Sequence, residues 1–491
     1  MITFIISFIA LVLGYFIYGR FVERIFGPDD RKTPAIVKND GMDYVPMKNW
    51  KIYMIQFLNI AGTGPIFGAI MGAKFGPAAY LWIIFGCIFA GAVHDYMTGM
   101  LSMRNDGCDA PELIGKYLGN RTRKVMIVFS VILLLMVGVV FVYSPAEILG
   151  SMVGNSLAWT AVIFIYYIVA TMLPIDKIIG KIYPIFSFSL IFMAVALIIV
   201  LIIKQPHLPE IWEGLGNMAK EKDPSFTDNI FPCLFITIAC GAVSGFHATQ
   251  TPLMARCLTS EKKGRQIFYG SMITEGLVAL IWATVAMWFF YDSPVAGYEQ
   301  IAAGQVKGFK TSAPMVVTIV CNNWLGLLGG ILAILGVVAA PITSGDTAFR
   351  SARLIIASAL KLDQKSKRNR LKVCIPLFLA AVALLLWQNE NDDAFQVIWQ
   401  YFGLSNQTLA VFTLWAFTVY MAKNKKAYFI TLVPAVFMTT VCSTYMFISK
   451  QAFGLPEPIA YTLGVAAMVI SIIWFAVWKR KSDKQAISAS N

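Results

Sequence analysis

Charge is scarce in this sequence: Asp, Glu, Lys and Arg make up 14% of 491 residues, against 58% hydrophobic. Soluble chains carry charge on about a quarter of their residues, so a multidomain soluble protein is excluded and one helical bundle in lipid is expected. Long polar stretches are missing too. The longest connections, 20–51, 204–230 and 291–317, are too short for an independent core, which leaves a membrane sensor or receptor without an output domain. Histidine is rarer still, with three in the chain. There is no HExxH, no phosphate-binding loop and no His-rich cluster, so the sequence offers neither an enzyme nor a metal or cofactor site. An ATP-driven mechanism would need a separate subunit. The eight cysteines lack CxxC spacing and are expected to pack as small core residues. No basic stretch or small-residue cleavage site marks the N-terminus, so 3–19 is read as a retained span rather than a signal peptide.

What fills the sequence is apolar runs. Thirteen are long enough to cross roughly 30 Å of hydrocarbon: 3–19, 52–73, 78–103, 125–143, 157–173, 182–203, 231–254, 267–291, 325–349, 373–388, 394–422, 428–448 and 459–478. With the N-terminus outside, the inner connections hold 33 of the 40 Lys and Arg residues and the outer ones 7. Cytoplasmic loops carry that excess, which predicts a multi-pass protein of a bacterial-type cytoplasmic membrane with its C-terminus in the cytoplasm. The net charge of +13 then faces anionic inner-leaflet lipid, and a nucleic-acid partner has no support.

Two runs are interrupted. Ile60-Ala61-Gly62-Thr63-Gly64-Pro65-Ile66 and Cys240-Gly241-Ala242-Val243-Ser244-Gly245-Phe246-His247 each place glycine, in the first case with proline, at mid-span, where an undisturbed helix cannot continue. Irregular backbone at membrane depth is tolerated only where it lines a cavity or is buried in protein, and paired broken helices point to a secondary transporter. The second and seventh runs have opposite directions. This predicts an inverted repeat: an extra span in 1–22, five-helix units in 52–203 and 231–422, and two further spans in 428–478. Asn322-Asn323, just before the ninth run, is read as the cap of a re-entrant piece.

Each break exposes helix-end carbonyls and N–H groups of opposite polarity. A small carboxylate suits the second half-helices, with Thr63 and Gly64 at one, and Ser244, Gly245 and His247 at the other. Gly245 is expected to let a ligand approach the backbone. A coupling ion, H⁺ or Na⁺, is assigned to the Ala61 and Gly62 carbonyls with Thr343 and Ser344, and to Asp95, a carboxylate costly at membrane depth. His94 is expected not to pair with its neighbour Asp95, because adjacent residues face apart on a helix. Glu275 is placed about two turns from the cytoplasmic end, and Asn406 and Gln407 are read as interhelical hydrogen-bonding groups.

At these residues the sequence resembles the carbon-starvation protein A (CstA) family. The matching stretches are Gly62-Thr63-Gly64-Pro65, Phe89 to Tyr96, Ala239 to Ala248 (ACGAVSGFHA) and Thr343 to Arg350. The resemblance implies a leucine-transporter-like five-plus-five inverted repeat and uptake of pyruvate or peptides. The resulting expectation is an all-α secondary active transporter that imports a small carboxylate, pyruvate foremost, by ion-coupled alternating access. A peptide or amino-acid carrier of the same fold is the alternative.

Overall fold

The computed structural model describes residues 1–173, 179–223, 226–292, 309, 311–390 and 394–488, and among them the chain forms helices and no strand. The connection after Asp292 lies, Phe309 and Thr311 onward apart, outside the described residues. Helix α1 (Ile2–Phe26) is followed by α2 (Asn49–Ala61) and α3 (Gly64–Phe75), which meet at a bend of 52°. Then come α4 (Ala78–Arg104), the short α5 (Ala110–Leu118), α6 (Asn120–Val153), α7 (Ser156–Met172) and α8 (Ile179–Lys204). The second half has α9 (230–237), α10 (Gly245–Ala255), α11 (Glu261–Asp292), α12 (Ala313–Ala359), α13 (Lys367–Glu390), α14 (Ala394–Lys423), α15 (Phe429–Ile448) and α16 (Glu457–Ser488). Among the described residues eight helices are long and apolar enough to cross a membrane, or nine if the bent pair counts as one span.

The peripheral helices turn apolar side chains outward. Ile5, Ile9 and Leu13 of α1 and Ile470, Ile473 and Val477 of α16 are all exposed, as a lipid-facing surface requires and a water-facing one would not tolerate in such density. The interior holds the polar groups: His94, Asp95, His247, Glu275 and Asp346 are fully buried.

Both breaks lie where glycine and proline place them. Gly62 adopts φ +49°, ψ −142°, open to glycine and strained for other residues, and Pro65 sits in the first turn of α3, where its missing N–H costs nothing. The second break runs from Ile238 to Ser244, which is extended at φ −141°, ψ 124°. Around it, α10 packs on α2, α4 and α14.

Asn322 and Asn323 do not cap a re-entrant piece. Both lie in the last turn of the first of two helices that meet within α12, where Asn323 Nδ2 donates back to Ile319 O at 2.9 Å; the break itself comes at Gly326, with φ +65°, a value open to glycine.

Candidate substrate and ion site

Residues from three helices converge just beyond the second break. His247, in the first turn of α10, has Nδ1 2.9 Å from Asp95 Oδ2 on α4 and Nε2 3.5 Å from Glu275 Oε2 on α11. A carboxylate only accepts, so Nδ1 carries the hydrogen and Nε2 points its other valence toward Glu275. Glu275 is thus fully buried and faces His247. The other Asp95 oxygen, Oδ1, lies 2.9 Å from His94 Nδ1, and His94 Nε2 lies 2.7 Å from Thr413 Oγ1 on α14. The expectation that His94 and Asp95 stay apart is therefore wrong. Consecutive Cβ atoms diverge by about 100° on a helix, but the imidazole Nδ1 reaches sideways across that gap.

The break itself is held from α14. Asn406 Oδ1 accepts from Ser244 Oγ at 3.0 Å and from Phe246 N at 2.6 Å. The latter satisfies one of the orphan N–H groups of the α10 N-terminus; Ser244, at the cap position, makes no side-chain cap bond of its own. Gln407 Nε2 donates to Phe235 O at 3.0 Å. Both side chains are interhelical hydrogen-bonding groups, as expected.

At the first break Thr63 is buried and its hydroxyl has no partner, so it does not cap α3 with its side chain. Its carbonyl accepts from Ile66 N and Phe67 N at 3.2 and 2.7 Å. The glycines here serve close approach. A Cβ on Gly64 would lie 2.3 Å from Cys240 Cβ, one on Gly68 2.8 Å from Thr237 O, and one on Gly72 2.2 Å from Ile238 Cγ1. This four-residue spacing seats α3 directly on the end of α9 and the break that follows it. Likewise a Cβ on Gly245 would meet Asn406 O at 2.2 Å, so in this conformation α14 fills the room expected there for a ligand. A small cavity remains between the breaks, lined by Gly64, Gly68, Thr237, Cys240, Trp399 and Gly403.

Of the residues assigned to the ion, Ser344 does reach the first broken helix: its Oγ donates to Leu58 O at 2.9 Å, one turn before Ala61 and Gly62. The Thr343 hydroxyl turns back onto its own helix, 2.8 Å from Ala340 O, while its carbonyl accepts from Tyr183 OH at 2.7 Å. Asp95 is not among this group; its partners are the two histidines. The carboxylate beside Thr343 and Ser344 is Asp346, which accepts from Tyr166 OH at 2.9 Å through Oδ2 and leaves Oδ1 buried without a partner. The oxygen-rich run 343–347 announced such a group, but Tyr166, which holds it, carries no signal in sequence.

The C-terminal part of α12 is tied to the loop before α2. Asp43 takes Arg350 Nη1 at 3.2 Å and Arg353 Nη2 at 3.1 Å, and Arg350 Nη2 also donates to Ala170 O and Leu173 O at 2.7 and 2.8 Å. Burial acts to raise the Asp43 carboxyl, yet Arg353, Arg350 and Arg256 outweigh it and hold the group below its ordinary range.

Comparison with known proteins bears on this arrangement. The family profile described as Carbon starvation protein CstA matches residues 1–151, 142–320 and 297–445. An uncharacterized membrane protein of Haemophilus influenzae is 46% identical over 353 residues, covering 62% of this chain and 95% of its own. The peptide transporter CstA of Escherichia coli is 25% identical, over 87% of this chain and 78% of its own, and the pyruvate/proton symporter BtsT of the same organism 26% identical, over 84% and 76%. Among solved structures, the Eremococcus coleocola manganese transporter superposes with a TM-score of 0.57 at 11% identity, covering 91% of this chain and 99% of its own. MhsT in complex with L-phenylalanine gives 0.55 at 14% identity, with 86% and 99% covered. At such identities the likeness is one of fold.

Proposed function

The chain belongs to the carbon starvation protein CstA family, and on that premise we propose that it is a secondary active transporter that imports a small carboxylate, pyruvate foremost, by proton-coupled alternating access. The observation that carries this reading is His247, directly after a helix break and facing two buried carboxylates, Asp95 and Glu275. The substrate carboxylate is bound between the half-helix N-termini, by Thr63 and Gly64 on one side and Ser244, Gly245 and His247 on the other. Opening the site separates Gly64 from Cys240 and Gly245 from α14. A proton taken up at His247 and its carboxylates offsets the substrate charge, and its release on the inner side drives accumulation.

In the same reading α2 to α8 and α9 to α14 form a leucine-transporter-like five-plus-five inverted repeat, with α1 before it, α15 and α16 after it, and thirteen spans in all. The N-terminus lies outside and the C-terminus in the cytoplasm, as the placement of Lys and Arg supports. Na⁺ is the second candidate for the coupling ion. The unpartnered Asp346 Oδ1 favours it, with Ala61, Gly62, Thr343 and Ser344 supplying further oxygens.

Uptake of labelled pyruvate into proteoliposomes under separately imposed pH and Na⁺ gradients tests both. Accumulation driven by the pH gradient, and abolished by Ser244→Ala and by His247→Ala in folded protein, is expected. Normal uptake by both variants would remove the site. A peptide cargo is the second reading, favoured by relatives that are peptide transporters, and competition of pyruvate uptake by dipeptides separates the two.

A further inference from the structure

Cys240 Sγ, a ring nitrogen of His247 and one Glu275 carboxylate oxygen lie within 4.8 Å of one another, all on buried residues. Neither His247 Nε2 nor either Glu275 oxygen has a hydrogen-bond partner. Buried polar atoms are almost always paired, and each orphan costs about 1–3 kcal/mol, so several converging on one point indicate an occupant. The Nε2 to Oε2 separation of 3.5 Å is long for an N–H···O bond. It does match the spacing of two ligand atoms about one metal ion, since bonds of ~2.0–2.3 Å at tetrahedral angles set their ends about 3.3–3.8 Å apart.

The surroundings have the form that metal-bound histidine takes. Asp95 accepts the Nδ1 hydrogen of His247, so in the neutral ring Nε2 is the nitrogen free to bind a cation, and His94, itself bonded to Thr413, holds the other Asp95 oxygen. A carboxylate on the far nitrogen is the usual partner of a ligating histidine, setting its orientation and raising its basicity. Ser244 Oγ lies 3.5 Å from Cys240 Sγ, and a fourth ligand would come from a hydroxyl or water.

We propose that Cys240, His247 and Glu275 form a binding site for a divalent transition cation of borderline softness, Zn²⁺ being the representative. A mixed sulfur, nitrogen and oxygen set suits Zn²⁺, Co²⁺ or Ni²⁺ and disfavours the hard ions Mg²⁺, Ca²⁺ and Na⁺. Binding converts the Cys240 thiol to thiolate and releases its proton. The site draws on the same histidine as the proton-coupling reading, but it stands without transport, and its test reads binding alone.

Purified protein free of a histidine tag is titrated with Co²⁺ in detergent, following the ultraviolet thiolate-to-cobalt charge-transfer band, and equilibrium dialysis gives Zn²⁺ stoichiometry. One Zn²⁺ per chain is expected, with the cobalt band lost in Cys240→Ala and in the similarly sized Cys240→Ser, and affinity reduced at least tenfold in Glu275→Gln. Thermal unfolding of each variant checks that it remains folded. No band in the parent protein, or a band unchanged by folded Cys240→Ser, overturns the proposal, whatever the protein carries.

Discussion

His247 and Asp95 are far apart in sequence and 2.9 Å apart between Nδ1 and Oδ2. The contact joins α10, which begins at a helix break, to α4, so a movement of one half-helix changes the environment of a buried carboxylate. Asp95→Asn keeps the shape and removes the charge. Uptake driven by a pH gradient is expected to fall at least tenfold, about 1.4 kcal/mol, while exchange of substrate between the two sides persists. Parallel accumulation and counterflow assays in proteoliposomes check this; equal loss of both would give Asp95 a structural role instead.

Asn406 supports the second break through one oxygen that serves both Ser244 Oγ and Phe246 N. Asn406→Leu leaves a buried N–H and hydroxyl unsatisfied and should destabilise by about 1–3 kcal/mol for each, whereas Asn406→Asp keeps the acceptor and should unfold near the parent temperature only where the pH keeps the new buried carboxyl protonated. Thermal unfolding followed by tryptophan fluorescence measures the difference.

The helical architecture and the two breaks were legible because apolar run length and Gly/Pro position are local properties. Every expected apolar run coincides with a helix or a broken pair, and the mid-run glycines lie where the backbone departs from helical geometry. The partners were not legible. Nothing local tells that Asp95 meets His247, that Glu275 faces the same imidazole, or that Asp346 sits against Tyr166, because those distances are set by helix packing. The rule that neighbours face apart misled at His94 and Asp95, since it counts Cβ directions and ignores side-chain reach. Cys240 looked like packing, and so did the cysteines as a set: all eight are free, and all but Cys108 are buried.

Asp43 is the shared counter-ion of Arg350 and Arg353, both fully buried. Asp43→Asn leaves two buried guanidinium groups without their carboxylate, and breaking such a set costs about 3–5 kcal/mol. Because the Asp43 carboxyl is held below its ordinary range, its contribution is present above the unfolded value near 3.8 and is lost as pH falls through the lower folded value. The variant should therefore unfold at a markedly lower temperature than the parent at pH 7. The gap should narrow toward strongly acidic pH. A melting temperature within a degree of the parent at pH 7 would show that the arginines are satisfied elsewhere.

Asp109 gives the opposite pH dependence. It caps α5, accepting from Glu112 N through Oδ1 at 2.9 Å, and burial pushes its carboxyl up to about 6, against the lowering effect of that bond and of Arg256. The folded protein thus holds a proton on Asp109 between pH 3.8 and 6 that the unfolded chain releases, and the stability this gives falls as pH rises through that window and is level above it. Asp109→Asn preserves the cap acceptor, Asn and Asp being comparable at this position, and has no charge to bury. Its melting temperature should match the parent near pH 4 and exceed it by pH 7, by an amount equivalent to at most about 3 kcal/mol. Melting curves of both proteins across pH 4–7 decide the matter: a variant less stable than the parent at pH 7 would mean that the ionised carboxylate, through Arg256 and the helix N-terminus, stabilises this loop by more than its burial costs.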